Sequence, residues 1–477
     1  MITSRALSEP PMDTAITRLA RWITACPLHQ NSIATQRARV AVQDTVACML
    51  AGSRKPVTQR AAQAIEGLGS GPCSAIGGTR VAAPWAAMLN GTAAHALDFD
   101  DYDFPAASHP SAVLVPAAFA LAEELGASGA DVLDAYVVGY ETMACIGKAV
   151  NMVHYERGWH STATLGTLGA TAACARLMKL DLDGCVAALS IASSMAAGFK
   201  SQFGTMTKPL HAGLAAKNGV LASRLGRSGV TASPNALDGT WSLLTLMAGD
   251  TAKGFARALA ELGAPLAIEQ FGLVNKRFPT CSYTHRAIAG LLQLRKVHQI
   301  DAGQVQHIKV EIPYRNFQVL MYPKPQSEAE ARFSMQYCIA TAMCFGDVTE
   351  SDFCQAAIER ADLRDLMSHI TLLSYPSDPK VSDSSPEEPD HVRIQLKNGE
   401  KLETTVGHVP GGPSNPLSEE EHRAKLHQCT ATVIGDGRVG ELELALSNFA
   451  MLPDVHAVTR HFHGLDFAPD HTEPGQY

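Results

Sequence analysis

The sequence predicts a mainly α protein, with one large helical domain and one smaller α+β domain. Up to about residue 260, apolar side chains recur at helical spacing in one segment after another. Alternating strand patterns follow between about 300 and 410, and helical spacing returns after residue 418. A chain of 477 residues is also longer than one hydrophobic core usually supports, which favours two domains.

The helices of the large domain are predicted from apolar runs that end at glycine. Gly52 follows the first long run and Gly126 follows the second, and glycine commonly ends a helix. Gly166 and Gly169 are spaced to let another helix approach closely. Helices that are apolar on most faces indicate the middle of a large helical body or a subunit interface. The predicted helices are 33–50, 111–125, 132–150, 162–178, 186–197 and 210–225.

The smaller domain is predicted from a strand, a helix and a hairpin. Residues 307–313 alternate like a half-buried strand, and 327–345 have helical spacing. A polar loop, 375–390, precedes two alternating runs, 391–396 and 401–406, which flank Asn398-Gly399, a strong hairpin signal. We therefore expect domain segments at 1–268, 269–420 and 421–477, with the last returning to the helical domain.

Composition excludes several classes of protein. The formal net charge is −8 and no block of lysine and arginine occurs, which argues against a nucleic-acid partner. No uncharged run is long enough to span a bilayer, so we expect no membrane association. The eleven cysteines form no CxxC pair, which is typical of reduced thiols in the cytoplasm. Arg5 and Arg18 leave the mitochondrial matrix open as a second location.

Four polar segments stand out against this apolar background. They are 96–116 (ALDFDDYDFPAASHPSAVLVP), 158–162 (GWHST), 203–211 (FGTMTKPLH) and 276–285 (KRFPTCSYTH). Three of them place a histidine or lysine where a helix is expected to begin, with Ser108 and Thr207 as possible caps. Backbone N–H groups and fixed cations at such sites favour carboxylates. The pattern predicts an anion pocket that could stabilise the enolate-like product of proton abstraction beside a carboxylate.

Simpler interpretations apply to several of these residues. We expect Asp100 and Asp103 to lie in a solvated turn, His211 to be structural, and Cys281 to be a buried thiol without an assigned base. The aspartates are also compatible with a metal site, as are His95 and Asp98. Because no second aspartate-rich segment or matching His-Asp pair follows, we expect no metal.

Taken together, these segments resemble the MmgE/PrpD family. The resemblance runs nearly end to end and rests on NGTAAHALDFDD (90–101), HPSAVLVPA (109–117), GWHSTATLGTLGA (158–170), FGTMTKPLHAGLAAKNG (203–219) and KRFPTCSYTH (276–285). It implies a helical domain built from both chain ends, an inserted α+β lid, a site in the cleft between them, a homodimer, and no metal or organic cofactor. The residues matched to the family's pocket are Asp98, His109, His160, Lys208 and Lys276, with Tyr322 from the lid.

One position departs from the resemblance. Decarboxylase members of the family carry a histidine at the position of Cys281, and His285 is a nearby candidate to substitute for it. The stretch FGTMTKPLHAG is more similar to the decarboxylase and epimerase branches than to the 2-methylcitrate dehydratases. The expected substrate-binding side chains are Lys208, Lys276, Tyr322, Cys281 and His285.

The resemblance implies a cofactor-independent enzyme acting on a small di- or tricarboxylate. A lyase is the first expectation, either a 2-methylcitrate dehydratase or a cis-aconitate decarboxylase, with His109 or His160 moving the proton and Asp98 tuning a neighbouring pKa. An epimerase or isomerase of the iminodisuccinate type is the alternative. A non-catalytic metabolite-binding or scaffold protein on the same fold is the hypothesis from another class.

Overall fold

The computed structural model describes residues 13–27, 32–150, 152–249, 254–378, 381 and 385–465. The N-terminal residues 1–12, which bear on the mitochondrial alternative, lie outside the described residues. Helices predominate in the rest. They are α1 (Ala15–Ala25), α2 (Ile33–Gly52), α3 (Pro56–Ala64), α4 (Ala83–His95), α5 (Ser111–Leu125), α6 (Gly129–Val150), α7 (Val153–Glu156), α8 (Ser161–Leu177), α9 (Leu182–Ser193), α10 (Thr207–Arg227), α11 (Leu243–Ala248), α12 (Phe255–Ala260), α13 (Ala267–Gln270), α14 (His285–His298), α15 (Tyr314–Phe317), α16 (Glu328–Ala331), α17 (Met335–Phe345), α18 (Gln355–Ile358), α19 (Ala361–Ser368), α20 (Glu419–Ile434), α21 (Asp436–Ser447) and α22 (His456–Thr459).

All six helices predicted in the large domain are present, and most bounds differ by only a few residues. The largest difference is α9, which begins four residues before the predicted start at 186. Asp181 causes this shift, because its side chain accepts a hydrogen bond from the Gly184 N–H and caps the helix there. The sequence therefore located these helices well, and a capping side chain decided where this one begins.

Two predicted helices are interrupted. The segment 327–345 divides into α16 and α17, because Ser334 caps the second helix by accepting from the Tyr337 N–H. The helical stretch predicted after residue 418 divides into α20 and α21 at Gly435, whose φ of +77° is favourable for glycine. Arg332, the residue that follows α16, donates to the carbonyls of Leu97 and Pro279.

The main sheet has four strands in the order β4-β3-β5-β6. Strand β3 (Val305–Pro313) pairs in parallel with β4 (Ile370–Tyr375) and antiparallel with β5 (Asp390–Leu396). Strands β5 and β6 (Lys401–Val406) form the predicted hairpin, with Gly399 at φ +92° in the turn. Strand β4 was not predicted, and neither was the small ribbon formed by β1 (Ser70–Ser74) and β2 (Arg80–Val81).

The apolar cores follow the two kinds of secondary structure. The largest cluster of buried apolar side chains draws on residues 34–273 together with 426–465, so helices from distant parts of the sequence share it. A second cluster draws mainly on 278–402, with Tyr155 and Phe203 added from the helical part. A third packs α1 against α9 and α12. The protein is therefore mainly α, with its main sheet confined to the second cluster.

Glycines allow the central helices to approach closely. A Cβ on Gly169 of α8 would lie 2.3 Å from Met143 Cγ and 2.9 Å from the Gly139 carbonyl of α6. Gly166 faces Val113 of α5 instead, with its nearest atom at 3.1 Å from such a Cβ. The close approach predicted for these two glycines is thus confirmed, although each faces a different helix.

Across the described part of the chain, none of the helices combines the length and the apolar character that a bilayer crossing requires.

Candidate active site

A narrow cavity lies between the helical part of the chain and the segment 281–333. Its volume is about 40 Å³, room for a few water molecules. Phe203 and Phe333 enclose part of it. The cavity lining includes five of the predicted site residues: Asp98, His109, His160, Lys208 and Cys281. The structure thus brings together side chains from all four polar segments.

Lys276 and Tyr322 lie next to the cavity without lining it. Nζ of Lys276 is fully buried and lies 2.7 Å from Asp98 Oδ1, so this lysine binds a lining carboxylate and does not face the open space. The Tyr322 hydroxyl donates to the carbonyl of the lining residue Phe203 at 2.9 Å. Tyr322 therefore ties the segment that follows β3 to the loop before α10.

Helix beginnings position three of the lining side chains. His160 directly precedes α8, Lys208 is the second residue of α10, and His109 lies two residues before α5. The expected caps are wrong in both cases. Ser108 donates its hydroxyl to Asp103 at 2.7 Å, because α5 begins only at Ser111, and Thr207 is the first residue of α10 and follows Met206 at the cap position.

Asp98 is the electrostatic centre of the cavity. Its Oδ1 accepts from Lys208 Nζ at 3.0 Å and from Lys276 Nζ at 2.7 Å. Burial alone would raise the pKa of Asp98, but the two ammonium groups outweigh it and hold the pKa well below its usual range. The carboxylate is therefore ionised at neutral pH and paired with two buried cations.

The backbone around Asp98 is held by three buried cations. Arg332 donates to the Leu97 carbonyl at 2.8 Å, Lys276 to the Asp98 carbonyl at 2.7 Å, and Lys425 to the Phe99 carbonyl at 2.7 Å. Asp98 itself has a φ of +50°, a conformation that costs energy for a side chain with a Cβ. The three consecutive carbonyl contacts hold the loop in this conformation and so fix the position of the carboxylate.

The other aspartates of this loop are buried, which corrects the expectation of a solvated turn for Asp100 and Asp103. Asp100 Oδ2 lies 2.9 Å from His95 Nδ1 and 3.2 Å from His109 Nδ1. Asp103 accepts from the hydroxyl and the N–H of Ser108, and burial raises its pKa to about 6. The carboxylates of Asp100 and Asp103 can be buried because they pair with polar groups that are buried beside them.

His109 faces the cavity, and the hydrogen-bond partners of its imidazole assign its tautomer. Its Nδ1 lies 2.9 Å from the Asp101 carbonyl and 3.2 Å from Asp100 Oδ2, and both of these atoms only accept hydrogen bonds. The proton must therefore reside on Nδ1, which leaves a lone pair on Nε2, 3.8 Å from Asp98 Oδ1. Burial lowers the pKa of His109, so the ring is neutral at pH 7.

His160 is the second imidazole of the cavity. Its Nδ1 lies 3.0 Å from Nδ1 of His211, and its ring packs edge-on against Phe203 with centroids 5.0 Å apart. Burial, reinforced by the nearby ammonium of Lys208, places the pKa of His160 well below its usual range. Two neutral bases thus face a cavity that also contains an ammonium group, an arrangement suited to proton transfer beside a bound carboxylate.

Cys281 lines the cavity, whereas His285 does not. Burial raises the pKa of the Cys281 thiol to about 12, so the thiol is protonated and a poor nucleophile at neutral pH. His285 is buried with Nε2 3.3 Å from the Thr280 carbonyl and its ring edge-on to Phe278. The structure therefore does not bring His285 into the place that Cys281 occupies.

Comparison with known proteins decides the family. Residues 17–256 match the MmgE/PrpD N-terminal domain and residues 278–448 match the MmgE/PrpD C-terminal domain. The chain belongs to the MmgE/PrpD family. The resemblance inferred from the sequence motifs is thereby confirmed.

Curated relatives of this MmgE/PrpD protein include several cis-aconitate decarboxylases. The human enzyme is 30% identical over 458 residues, which is 90% of this chain and 90% of the relative. The mouse enzyme is 30% identical over 404 residues, covering 80% of this chain and 78% of the relative. The enzyme from Aspergillus terreus is 27% identical over 447 residues, covering 88% and 90%. The likeness therefore spans nearly the whole of each protein.

Four side chains of this MmgE/PrpD site lie close enough together to be metal ligands. One ligand atom each from His95, Asp98, Asp100 and His109 falls within 4.8 Å of the others. However, Asp98 Oδ1 already binds two ammonium groups, and both histidines direct Nδ1 at the Asp100 carboxylate. Because the lysines balance the charge that a divalent ion would neutralise, this donor set fits a metal poorly. The expectation that the enzyme needs no metal stays a prediction.

Sequence reasoning missed four residues that build the site. Arg332 and Lys425 hold the Asp98 loop through backbone carbonyls, which leave no mark in a sequence pattern. His95 and Asp100 form a buried pair below His109. The spacing of five residues between these two across the end of α4 is the only signal that could have suggested their contact.

Proposed function

We propose that this MmgE/PrpD protein is a cofactor-independent lyase that acts on a small di- or tricarboxylic acid. The observation that carries the proposal is the pair of neutral imidazoles, His109 and His160, beside the ammonium group of Lys208 in one cavity. The similarity to cis-aconitate decarboxylases supports decarboxylation as the first reaction to test, and dehydration of 2-methylcitrate as the second.

In this proposal the ammonium group of Lys208, the second residue of α10, binds a substrate carboxylate. As charge develops on that carboxylate, the fixed cation stabilises it, and the buried setting strengthens the effect. Asp98 holds Lys208 in place by accepting a hydrogen bond from its Nζ at 3.0 Å. The carboxylate of Asp98 thus tunes and orients the cation without accepting the proton itself.

The two imidazoles then move protons. In dehydration, the Nε2 lone pair of one imidazole takes a proton from carbon, the C–H electrons form the double bond, and the imidazolium so formed returns the proton to the hydroxyl group, which leaves as water. In decarboxylation, the C–C bond to carboxylate breaks, carbon dioxide leaves, and the electron pair is protonated at carbon by an imidazole Nε2 that has first taken up a proton from solvent. Both routes need one proton donor and one anion-stabilising group, which this cavity contains.

We also propose that residues 269–420 act as a lid over a helical body formed by 1–268 and 421–477. A cavity of about 40 Å³ is too small for a tricarboxylate, so the site has to open before substrate enters. Tyr322 reaches across this junction to Phe203. We propose further that the protein is a homodimer in the cytoplasm or the mitochondrial matrix. Light scattering of the purified protein tests whether it is a dimer.

The decisive experiment is proton exchange in D₂O. The protein is incubated with cis-aconitate, 2-methylcitrate, citrate and iminodisuccinate, and ¹H NMR follows C–H exchange and product formation while carbon dioxide release is measured separately. The expected result is product from one tricarboxylate, with deuterium at the reacting carbon. Exchange with inversion but without product would assign an epimerase, and no exchange with any acid would favour the non-catalytic alternative.

A matched pair of lysine variants tests the anion site. Lys208→Ala is expected to lower kcat/KM by at least about 100-fold, because it removes the cation that faces substrate. Lys296→Ala, an exposed lysine in α14, provides the control and should leave the kinetics unchanged. An unchanged KM and kcat in Lys208→Ala would remove this lysine from the anion site.

A further inference from the structure

We propose that His211 is a positioning residue that fixes the tautomer of His160 through a direct hydrogen bond between the two imidazole rings. The inference deepens the proposed function, because it assigns how the neutral base of that site is prepared. His211 lies in α10, one turn after Lys208. The same helix therefore presents an ammonium group to the cavity and an imidazole to the back of His160.

The geometry leaves two arrangements of protons. Nδ1 of His160 and Nδ1 of His211 lie 3.0 Å apart, so one of these nitrogens donates and the other accepts. If His160 donates, its Nε2 is unprotonated and can act as a base toward the cavity. If His211 donates, Nε2 of His160 carries the proton and the ring can only act as an acid. Proton abstraction by His160 requires the first arrangement.

The surroundings of His160 leave His211 as the residue that sets the tautomer of the His160 ring. Among the described residues, the His160 ring has one hydrogen-bond partner, which is His211. Its other ring contacts are stacking on His95 at 6.0 Å and the edge-on contact with Phe203. The backbone N–H of His160 is held by the Gly198 carbonyl at 3.0 Å, so the ring is anchored at its base and at Nδ1.

Both rings are neutral at pH 7, so the two possible arrangements differ in the position of a proton and not in charge. Burial lowers the pKa of His211 to about 4 and also lowers that of His160. The charged and titratable groups that face His160 are Lys208 and His211 from α10, His95 from α4, and His109 from the segment before α5. None of these is an acid, so no carboxylate competes with His211 for the Nδ1 proton of His160.

The test uses two substitutions at His211 and one control. His211→Asn keeps an acceptor oxygen close to the position of Nδ1, whereas His211→Leu removes any acceptor. His154→Leu is the control, because His154 is also buried beside α8, where its ring contacts Ser161 and Thr164 and not the His160 ring. A general loss of packing would affect the control and the leucine variant alike.

The first readout is the ¹⁵N NMR spectrum of histidine-labelled protein, which needs no substrate. His160 is expected to carry its proton on Nδ1 in the wild type, in His211→Asn and in His154→Leu, and to lose this single tautomer in His211→Leu. A proton on Nε2 of His160 in the wild type would overturn the proposal. So would an unchanged spectrum for His160 in His211→Leu.

The second readout is kinetic, on the substrate found by deuterium exchange. His211→Leu should lower kcat by about 100-fold with less than about a 3-fold change in KM, and His211→Asn should recover most of the loss. The acid limb of the kcat/KM profile should move to lower pH in His211→Leu, because imidazolium formation at His160 loses its acceptor. Equal losses in the asparagine and leucine variants would refute a positioning role. If the wild type is inactive on every acid, the proposed function fails while the NMR result still decides this inference.

Discussion

The two walls of the cavity differ in how tightly their side chains are held. The polar wall consists of Asp98, Ser108, His109, His160 and Lys208, and each of its charged or titratable groups has a defined polar partner. The apolar wall, which consists of Cys281, Tyr283, Val319 and Phe333, belongs to the segment that carries the sheet. In the proposed function, the polar wall performs proton transfer and the apolar wall shapes and closes the space.

The largest effect on the polar wall is expected from a substitution of Asp98. Asp98→Asn should abolish activity, by about 1,000-fold or more, and destabilise the protein by about 3–5 kcal/mol, because two buried ammonium groups lose their counter-charge. Deuterium exchange and urea unfolding measure the two effects. Asp362→Asn, which alters an exposed pair with Arg360, is the control and should change stability by less than about 0.5 kcal/mol. Wild-type stability in Asp98→Asn would show that the lysines do not depend on this carboxylate.

A change of pH should alter the stability of the folded protein through its buried histidines and acids. Burial lowers the pKa of His95, His154 and His211 to about 4, so the unfolded chain binds more protons than the folded protein between pH 6.5 and 4. Stability therefore falls as the pH drops through this window. Asp103 and Glu141, whose pKa values burial raises to about 6 and about 7, oppose part of the loss.

From these five groups, the net loss of unfolding free energy between pH 7 and pH 5 should be roughly 2 kcal/mol, as measured by urea unfolding at the two pH values. The double variant His154→Leu and His211→Leu should show a shallower dependence on pH than the wild type. A stability that is constant from pH 7 to pH 5 would mean that these histidines are not neutral in the folded protein.

A smaller effect is expected from a substitution of Tyr322, which lies at the junction between the two walls. Tyr322→Phe removes the hydroxyl that donates to the Phe203 carbonyl, a hydrogen bond worth about 1 kcal/mol. If this contact closes the cavity over bound substrate, KM should rise by about 3- to 10-fold while kcat changes less. Tyr314→Phe, at a half-exposed tyrosine in α15, is the matched control and should leave KM unchanged. A fall in kcat alone would place Tyr322 in the chemistry and not in closure.

The smallest effect is expected on the apolar wall at Cys281. Because burial keeps this thiol protonated, Cys281→Ser should lower kcat/KM by less than about 10-fold. In the wild type, iodoacetamide at pH 8 should modify the exposed Cys354 much faster than Cys281, as peptide mass spectrometry would show. A loss of about 1,000-fold in Cys281→Ser would instead make the thiol part of the proton-transfer machinery and erase the distinction between the walls.

Much of the site could be anticipated because local chemistry marks it. His109, His160 and Lys208 stand at helix beginnings, and a helix beginning can be read from a few neighbouring residues. Lys276 was placed with the substrate, yet the structure buries it against Asp98. The sequence shows that Lys276 and Asp98 are polar residues in an apolar region. It does not show whether these two side chains face each other or a ligand.

The sequence by itself determined the helical character, the hairpin at Asn398-Gly399 and the membership of the MmgE/PrpD family, because spacing and motifs are local properties of the chain. Only the tertiary structure decided that Arg332, Lys276 and Lys425 bind three successive carbonyls, and that His211 contacts His160. Such contacts join residues that are far apart in sequence, and they depend on how the helices pack. The physical reason is that a buried polar group must find a partner wherever the fold brings one within hydrogen-bond distance.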